Sequence, residues 1–304
     1  MVSMASSGRI VDNTMPWHLR NGYCIKLVLQ MILAGLFITG CWSESSMPKK
    51  PSKQEMAALT PPLSLVRRNV NGYQISFVIR NAQTETENKP SLFFVHGSPG
   101  AWHDWLPFLT TNSLTGFGVR IAVDRPGFGD SQAGGIITDA RAQAAMLAAL
   151  IPDQQPTVLV GHSLGGALIG WMALDFPDKI CAVISIAGSL SAELEHLRWY
   201  NHIANMPPVR FFLSKALNNS NLEMLSLQSE LTRLESQWYR LKKPIWLIQG
   251  EKDKLVNPRT VEKISPSIPE KYLRVIKLPN AGHFIIWKDP QRIINILNEI
   301  NCTL

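Results

Sequence analysis

Ser163 stands in Gly161-His162-Ser163-Leu164-Gly165-Gly166, between the short run Thr157-Val158-Leu159-Val160 and an apolar run over residues 167–174 that Pro177 ends. That order reads as a strand turning sharply into a helix, with a serine at the turn. Such a turn strains the backbone and crowds it, so its flanks must be small, and Gly161 and Gly165 are. The helix that starts there aims free N–H groups and its positive dipole end at any negative charge forming on a bound carbonyl. A serine hydroxyl attacks a carbonyl only if an imidazole takes its proton, and that imidazole needs a carboxylate to fix its tautomer. The chain offers both. His283 ends Leu278-Pro279-Asn280-Ala281-Gly282-His283, just after an apolar run at 273–277. Asp253 ends Gly250-Glu251-Lys252-Asp253, just after the run at 245–249. Glu251 shares that loop and is the alternative carboxylate. The chemistry implied is acyl transfer through a covalent serine intermediate.

The elements that must position these groups alternate between strand and helix. Ser91-Leu92-Phe93-Phe94-Val95 and Ile121-Ala122-Val123 read as buried strands, 140–151 as an Ala- and Leu-rich helix, and 181–187 as a further strand. Asn71-Gly72 signals a hairpin between strands near 65–66 and 73–79. Residues 290–300, with Ile293, Ile294, Ile296 and Leu297, read as a closing amphipathic helix. The pattern predicts an α/β protein with a mostly parallel sheet, whose functional groups gather on loops at the strand ends. Between Ala187 and Ile245 lie 57 residues, too many for a structureless loop. Within them Met224, Leu227, Leu231, Leu234, Trp238 and Leu241 repeat at steps of three and four, a helical packing face. Leu190, Leu194 and Leu197 form a shorter stripe, and Pro207-Pro208 separates the two. This insertion is expected to be a helical cap over the site. Trp199, Tyr200, Phe211 and Phe212 are candidates for either its pocket or its core.

Two more segments, His96-Gly97-Ser98-Pro99-Gly100 and Asp124-Arg125-Pro126-Gly127-Phe128-Gly129-Asp130-Ser131, each follow one of the buried strands. With Gly-His-Ser-Leu-Gly-Gly and the order Ser163, Asp253, His283, the chain from about residue 62 onward resembles the α/β-hydrolase superfamily. The similar branch includes proline iminopeptidases, esterases, epoxide hydrolases and carbon–carbon bond hydrolases. The resemblance implies an α/β-hydrolase sheet flanked by helices with an inserted cap. It also implies an oxyanion hole built from the Ser98 and Leu164 amides. Trp102 and Trp105, just beyond the oxyanion loop, are candidate pocket residues. Dehalogenases and most epoxide hydrolases of that branch carry Asp at the turn; Ser163 argues for acyl transfer instead. His96 and His162 read as packing and hydrogen-bonding partners, and Asp124, Arg125, Asp130 and Ser131 as residues that hold their loop. The expected activity is cleavage of an ester or similar acyl bond in a small or lipid-like substrate, with no cofactor. Alternatives are a proline iminopeptidase-like aminopeptidase, with Glu193 or Glu195 receiving a substrate amino group, a carbon–carbon bond hydrolase, and a non-catalytic small-molecule binder.

The chain has 304 residues, 45% of them apolar, and a formal charge of +7 from 30 Lys and Arg against 23 Asp and Glu. No block of basic residues accompanies the surplus, so nucleic-acid binding is not expected; weak attraction to an anionic membrane is. Arg20 and Lys26 flank an apolar stretch at 27–38 that ends in Ile38-Thr39-Gly40-Cys41. Twelve residues are short of the roughly 20 that span a bilayer and fit a signal-peptide core. The last four resemble a bacterial lipobox, which makes Cys41 the expected lipid-bearing residue of an envelope protein, periplasmic or secreted export being the alternative. The boundaries expected are a signal peptide at 1–40, a flexible tether at 41–62, a core at 63–188 and 244–304, and the cap at 189–243. Of four cysteines, Cys181 and Cys302 remain for the folded part, read by default as one buried and one loose thiol, a bridge between them in an oxidising compartment being the alternative. The seven histidines show no metal-ligand spacing.

Overall fold

The computed structural model describes residues 47–81, 89–153 and 155–302. The proposed signal segment and Cys41 lie outside them. The first element is not the flexible tether expected from composition. Lys53–Ala58 is a helix (α1) closed by a capping box, in which the Ser52 hydroxyl accepts from Glu55 N–H and the Glu55 carboxylate accepts from Ser52 N–H. Met56 buries its side chain, and Arg80 donates to the Thr60 carbonyl at 3.0 Å, so the segment is tied to the body.

β1 (Ser64–Val70) and β2 (Tyr73–Arg80) form the expected hairpin. Asn71 and Gly72 both take positive φ, 50° and 85°, as a tight two-residue turn matching strand twist requires. There follow β3 (Ser91–Val95), α2 (Leu106–Thr110), β4 (Arg120–Val123), α3 (Ala140–Ala148), β5 (Thr157–His162), α4 (Leu164–Asp175) and β6 (Ile180–Ile186). The insertion contains α5 (Trp199–Ala204), α6 (Pro207–Phe212) and α7 (Lys215–Glu235). The chain returns through β7 (Ile245–Gly250), α8 (Thr260–Ile264), β8 (Leu273–Leu278), α9 (Ile285–Lys288) and α10 (Pro290–Asn298).

The eight strands form one sheet in the order β1-β2-β4-β3-β5-β6-β7-β8. It is parallel from β4 to β8 and antiparallel only where β2 meets β1 and β4. Central strands covered on both faces must be apolar throughout, and every residue of β3 and β5 is buried. Successive side chains then feed opposite cores. Phe93, Val95 and Leu159 pack with α3, α4 and α7, whereas Leu92, Phe94, Val158 and Val160 pack with α2 and α10.

The stripe of α7 does what its spacing predicts. Leu227, Leu231, Leu234, Trp238 and Leu241 are buried in the same cluster as α4. Gly170 of α4 leaves room for Trp238: a Cβ there would lie 2.5 Å from the indole. At roughly 1.5–3 kcal/mol per buried large side chain, this contact fixes the second half of α7 as core.

Cys181 and Cys302 are bonded to each other, with Cα atoms 5.6 Å apart. The default of two free thiols is therefore corrected. Cys181 opens β6, and α10 packs across that face of the sheet, which carries the chain end back to it.

Candidate active site

The turn between β5 and α4 has the geometry its glycines imply. Ser163 takes φ 55° and ψ −124°, a conformation that costs a non-glycine residue roughly 1–3 kcal/mol and persists only when neighbours enforce it. They do. Ser163 N–H donates to the Ile186 carbonyl at 3.0 Å, and Ser189 N–H donates to the Ser163 carbonyl at 3.0 Å, so β6 clamps the turn on both sides. A Cβ on Gly161 would meet the Gly165 carbonyl oxygen at 2.4 Å, and one on Gly165 would meet the Val95 carbonyl oxygen at 2.3 Å. Both positions are glycine because backbone passes there. Gly97, after β3, abuts Ser163 so closely that an added Cβ would lie 2.9 Å from the serine Cβ. Leu164 is the first residue of α4, so its N–H has no acceptor within the helix.

His283 and Asp253 arrive from the ends of β8 and β7. His283 Nδ1 donates to Asp253 Oδ2 at 2.9 Å, and both side chains are buried. The other carboxylate oxygen accepts from Leu255 N–H at 2.8 Å and Val256 N–H at 3.0 Å; Gln249 adds a donor to Oδ2 at 3.2 Å. Four donors hold Asp253 still. Glu251, on the same loop, is exposed. With its proton on Nδ1, His283 presents an unprotonated Nε2. His162, next to Ser163, carries its proton on Nε2 and donates to the His283 carbonyl at 2.9 Å, the two rings lying 4.7 Å apart. Burial, then the nearby His283, pushes the His162 pKa down to about 3, so this ring stays neutral. It is a packing partner, as its sequence context suggests.

The loop bearing Ser98 is held from two directions. His96, fully buried, accepts Arg125 N–H at Nε2 (3.0 Å) and donates from Nδ1 to the Gly97 carbonyl (2.7 Å). Burial and the Arg125 charge hold its pKa well below the usual imidazole range. The Arg125 guanidinium, with no exposed surface, donates to the Gly97 carbonyl at 2.8 Å and makes a two-pronged pair with Glu223 of α7 at 2.5 and 3.0 Å. The same carboxylate accepts from the Ser98 hydroxyl at 2.5 Å and from Gln143 at 2.9 Å. The loop bearing Ser98, the loop after β4 and α7 thus share one buried carboxylate. Asp124 anchors the other side, accepting from Trp102 N–H and Asp130 N–H, both at 2.7 Å.

Trp102 and Trp105, the candidate pocket residues, are both buried. Their 3-10 turn directs both side chains into the core beneath the sheet, where Trp105 meets Phe94 and Phe108 at 4.9 and 5.4 Å. Trp199 and Phe211 point the other way, 58% and 81% exposed. Of the two cap glutamates, Glu193 is exposed and paired with Lys263. Glu195 is largely buried, and burial pushes its pKa up to about 7, against the pull of a Ser189 hydrogen bond and of His283. Its Oε1 is buried without a hydrogen-bond partner. Glu223 escaped sequence reasoning altogether, since nothing local marks it among the polar positions of α7. A cavity of about 590 Å³ lies at the opposite end of the strands beside Pro177, Tyr239 and Tyr272, away from these groups. Among the described residues no cluster of His, Cys, Asp and Glu is arranged to hold a metal ion.

A left-handed serine at a strand-to-helix turn, with a histidine and a buried carboxylate at the ends of later parallel strands, is the arrangement of one large class of enzymes. The chain belongs to the alpha/beta hydrolase family, whose profile matches residues 92–296. It is similar to a pimeloyl-[acyl-carrier protein] methyl ester esterase of Aeromonas hydrophila, with 34% identity over 69% of this chain and 94% of the relative. Protein PHYLLO of Arabidopsis thaliana is 25% identical over 77% of this chain, which spans only 16% of that plant protein. Among solved structures, the alpha/beta hydrolase MGS-M2 from a deep-sea metagenome library superposes with a TM-score of 0.62 at 15% identity, covering 77% of this chain and 95% of that one.

Proposed function

We propose that the protein is a serine hydrolase that cleaves a carboxylic ester or a similarly activated acyl bond. Ser163 Oγ attacks the carbonyl carbon while His283 Nε2 takes its proton. The Ser98 and Leu164 amides hold the oxyanion, and the leaving alcohol departs with the proton from His283. Water, deprotonated by the same imidazole, then releases the acyl group and regenerates Ser163. Asp253 keeps the imidazole in the required tautomer. The observation that carries this reading is the 2.9 Å bond between His283 Nδ1 and Asp253 Oδ2, made beside a serine in a strained left-handed turn. The esterase relative adds weight to an ester substrate.

A fluorophosphonate probe tests it, because only a hydroxyl paired with a base attacks phosphorus readily. Wild-type protein is expected to be labelled at Ser163, and Ser163→Ala, folded, is expected to take no label. Labelling that survives the substitution overturns the assignment. A non-catalytic binder would show no turnover and no label.

One observation favours a second reading. The unpartnered, buried Oε1 of Glu195 is suited to receive a substrate ammonium group, as an aminopeptidase requires. p-Nitrophenyl esters of graded length, run beside aminoacyl naphthylamides, separate the two: esters turned over and amides left intact support the first reading. We also propose that Cys41 is acylated and holds the protein on a bacterial envelope membrane. Labelled palmitate incorporated by the wild type and lost in Cys41→Ser is the expected result.

A further inference from the structure

We propose that α5 and α6 of the cap form a docking face for an anionic lipid bilayer, laying the active-site mouth against the membrane surface. Among the described residues eight large apolar side chains are exposed, and five of them, Leu197, Trp199, Ile203, Met206 and Phe211, fall within residues 197–211. Phe211 is 81% exposed and Trp199 58%, values far from those of a packing residue. The inner side of α5 is satisfied: Ala204 is buried, and Asn201 exchanges hydrogen bonds with Asn221 of α7 at 2.9 and 3.0 Å. The outer face therefore holds its apolar groups out by construction. Exposed apolar clusters of this kind mark interaction sites.

Charge identifies the partner. From residue 196 to 222 the chain contains no Asp or Glu, while Arg198, Arg210 and Lys215 are cationic, and His196 and His202 stand among them. All five are exposed. The acids that bracket the stretch are both turned inward: Glu195 is largely buried, and Glu223 pairs with Arg125. Aromatic and aliphatic tips set among cations, with no acid between them, match the boundary between anionic head groups and acyl chains. A second copy of the chain fits poorly, because a symmetric contact would set these cations against themselves. The chain's own apolar stretch at 27–38 is flanked by Arg20 and Lys26 and meets the same repulsion.

The face also adjoins the chemistry. Leu197 is eight residues beyond Ser189, whose N–H donates to the Ser163 carbonyl at 3.0 Å. A bilayer touching α5 and α6 would place lipid acyl groups at the entrance. Docking is a binding property, and its test does not depend on ester turnover.

The full-length protein is reconstituted in vesicles carrying brominated acyl chains, either phosphatidylcholine alone or an equimolar mixture with phosphatidylglycerol. Emission of Trp199 is read as wild type minus Trp199→Phe. Trp199 is expected to be quenched in the anionic vesicles and less so in phosphatidylcholine, with quenching relieved by high salt. Replacing Arg198 and Arg210 by Gln is expected to weaken the docked state about thirtyfold, since each surface cation contributes roughly fivefold. The thermal midpoint of each variant reports that the fold is intact. Unquenched Trp199 in anionic vesicles overturns the proposal. Quenching indifferent to lipid charge and to both arginines does so too, as does concentration-dependent shielding of Trp199 without lipid, which would mark a second copy.

Discussion

Replacing Glu223 by Ala removes the one carboxylate that Arg125, Ser98 and Gln143 share. The Arg125 guanidinium has no exposed surface and loses a two-pronged partner. An uncompensated buried charge of this kind costs about 3–5 kcal/mol, a third or more of the stability of an ordinary domain. The catalytic cost has a separate origin. Ser98 loses the acceptor of its hydroxyl (2.5 Å), and of the two donors to the Gly97 carbonyl, His96 and Arg125, the second loses its carboxylate partner. If the Ser98 amide drifts from its position, the loss approaches that of one oxyanion donor, on the order of 10²–10³ in kcat, with KM little changed. Urea unfolding followed by intrinsic fluorescence gives the first number, and steady-state hydrolysis of a short p-nitrophenyl ester gives the second. A paired substitution separates them. Arg125→Met with Glu223→Leu replaces the ion pair by apolar groups of similar bulk, and is expected to regain much of the stability. It is not expected to regain kcat, since the Ser98 hydroxyl still has no carboxylate to hold it. A folded Glu223→Ala protein whose kcat stays within about threefold of wild type would refute the positioning argument.

The remaining expectations concern stability. Burial raises Asp104, Asp124 and Glu195 to about 7, so the folded state holds protons that the unfolded chain has already released above its ordinary carboxylate range. Buried His96, His103 and His162, depressed in the fold, oppose this most strongly below about pH 6.5, where the unfolded chain protonates them, and fade as pH rises past about 7. Between about pH 7 and 8 the three carboxyls outweigh them, and unfolding free energy is expected to fall with rising pH by roughly 0.5–1 kcal/mol per unit; a rising profile by urea titration would contradict their burial. The Cys181–Cys302 bridge closes a span of 121 residues. Its loss in Cys302→Ser, or by reduction of the wild type, is expected to cost roughly 2–4 kcal/mol, and the variant's melting temperature should no longer respond to reductant.

What the sequence reveals and what it hides divide along a physical line. Ser163, His283 and Asp253 are legible because each sits in local grammar: small residues where backbone must pass, an apolar strand before the turn, and a chain order that a parallel sheet brings to one end. The hairpin at Asn71-Gly72 and the stripe of α7 are legible for the same reason, each being set by neighbours within a few residues. The helix at Lys53–Ala58 was within reach too, since Ser52 and Glu55 stand at capping-box spacing ahead of Met56. The Ser, Pro and Lys around it mask that signal. The burial of Trp102 and Trp105 is not legible, because adjacency to the Ser98 loop fixes where they are, but not which way a 3-10 turn faces them. The disulfide and Glu223 have no local signal at all. One needs the chain end carried to β6 by α10, and the other needs a helix from the insertion laid across two loops of the core.

That last placement explains how the insertion can be both scaffold and cap. The second half of α7 buries an apolar stripe: Leu231 and Leu234, with Trp238 just beyond the helix, pack in the same cluster as α4, the helix that follows Ser163. The first half is polar and reaches the site loops: Asn219 donates to the Gly127 carbonyl at 2.7 Å, and Glu223 takes Arg125 and Ser98. A rigid helix therefore carries its register from the turn at Ser163 to the loop at Ser98, the two places from which the proposed oxyanion amides come. Their spacing is fixed by the core rather than by either loop. α5 and α6 bear no such duty. Substitutions on their outer surface can change what the mouth meets without moving the amides, whereas a one-residue slip in α7 would move Glu223 and Leu231 together, costing stability and catalysis at once.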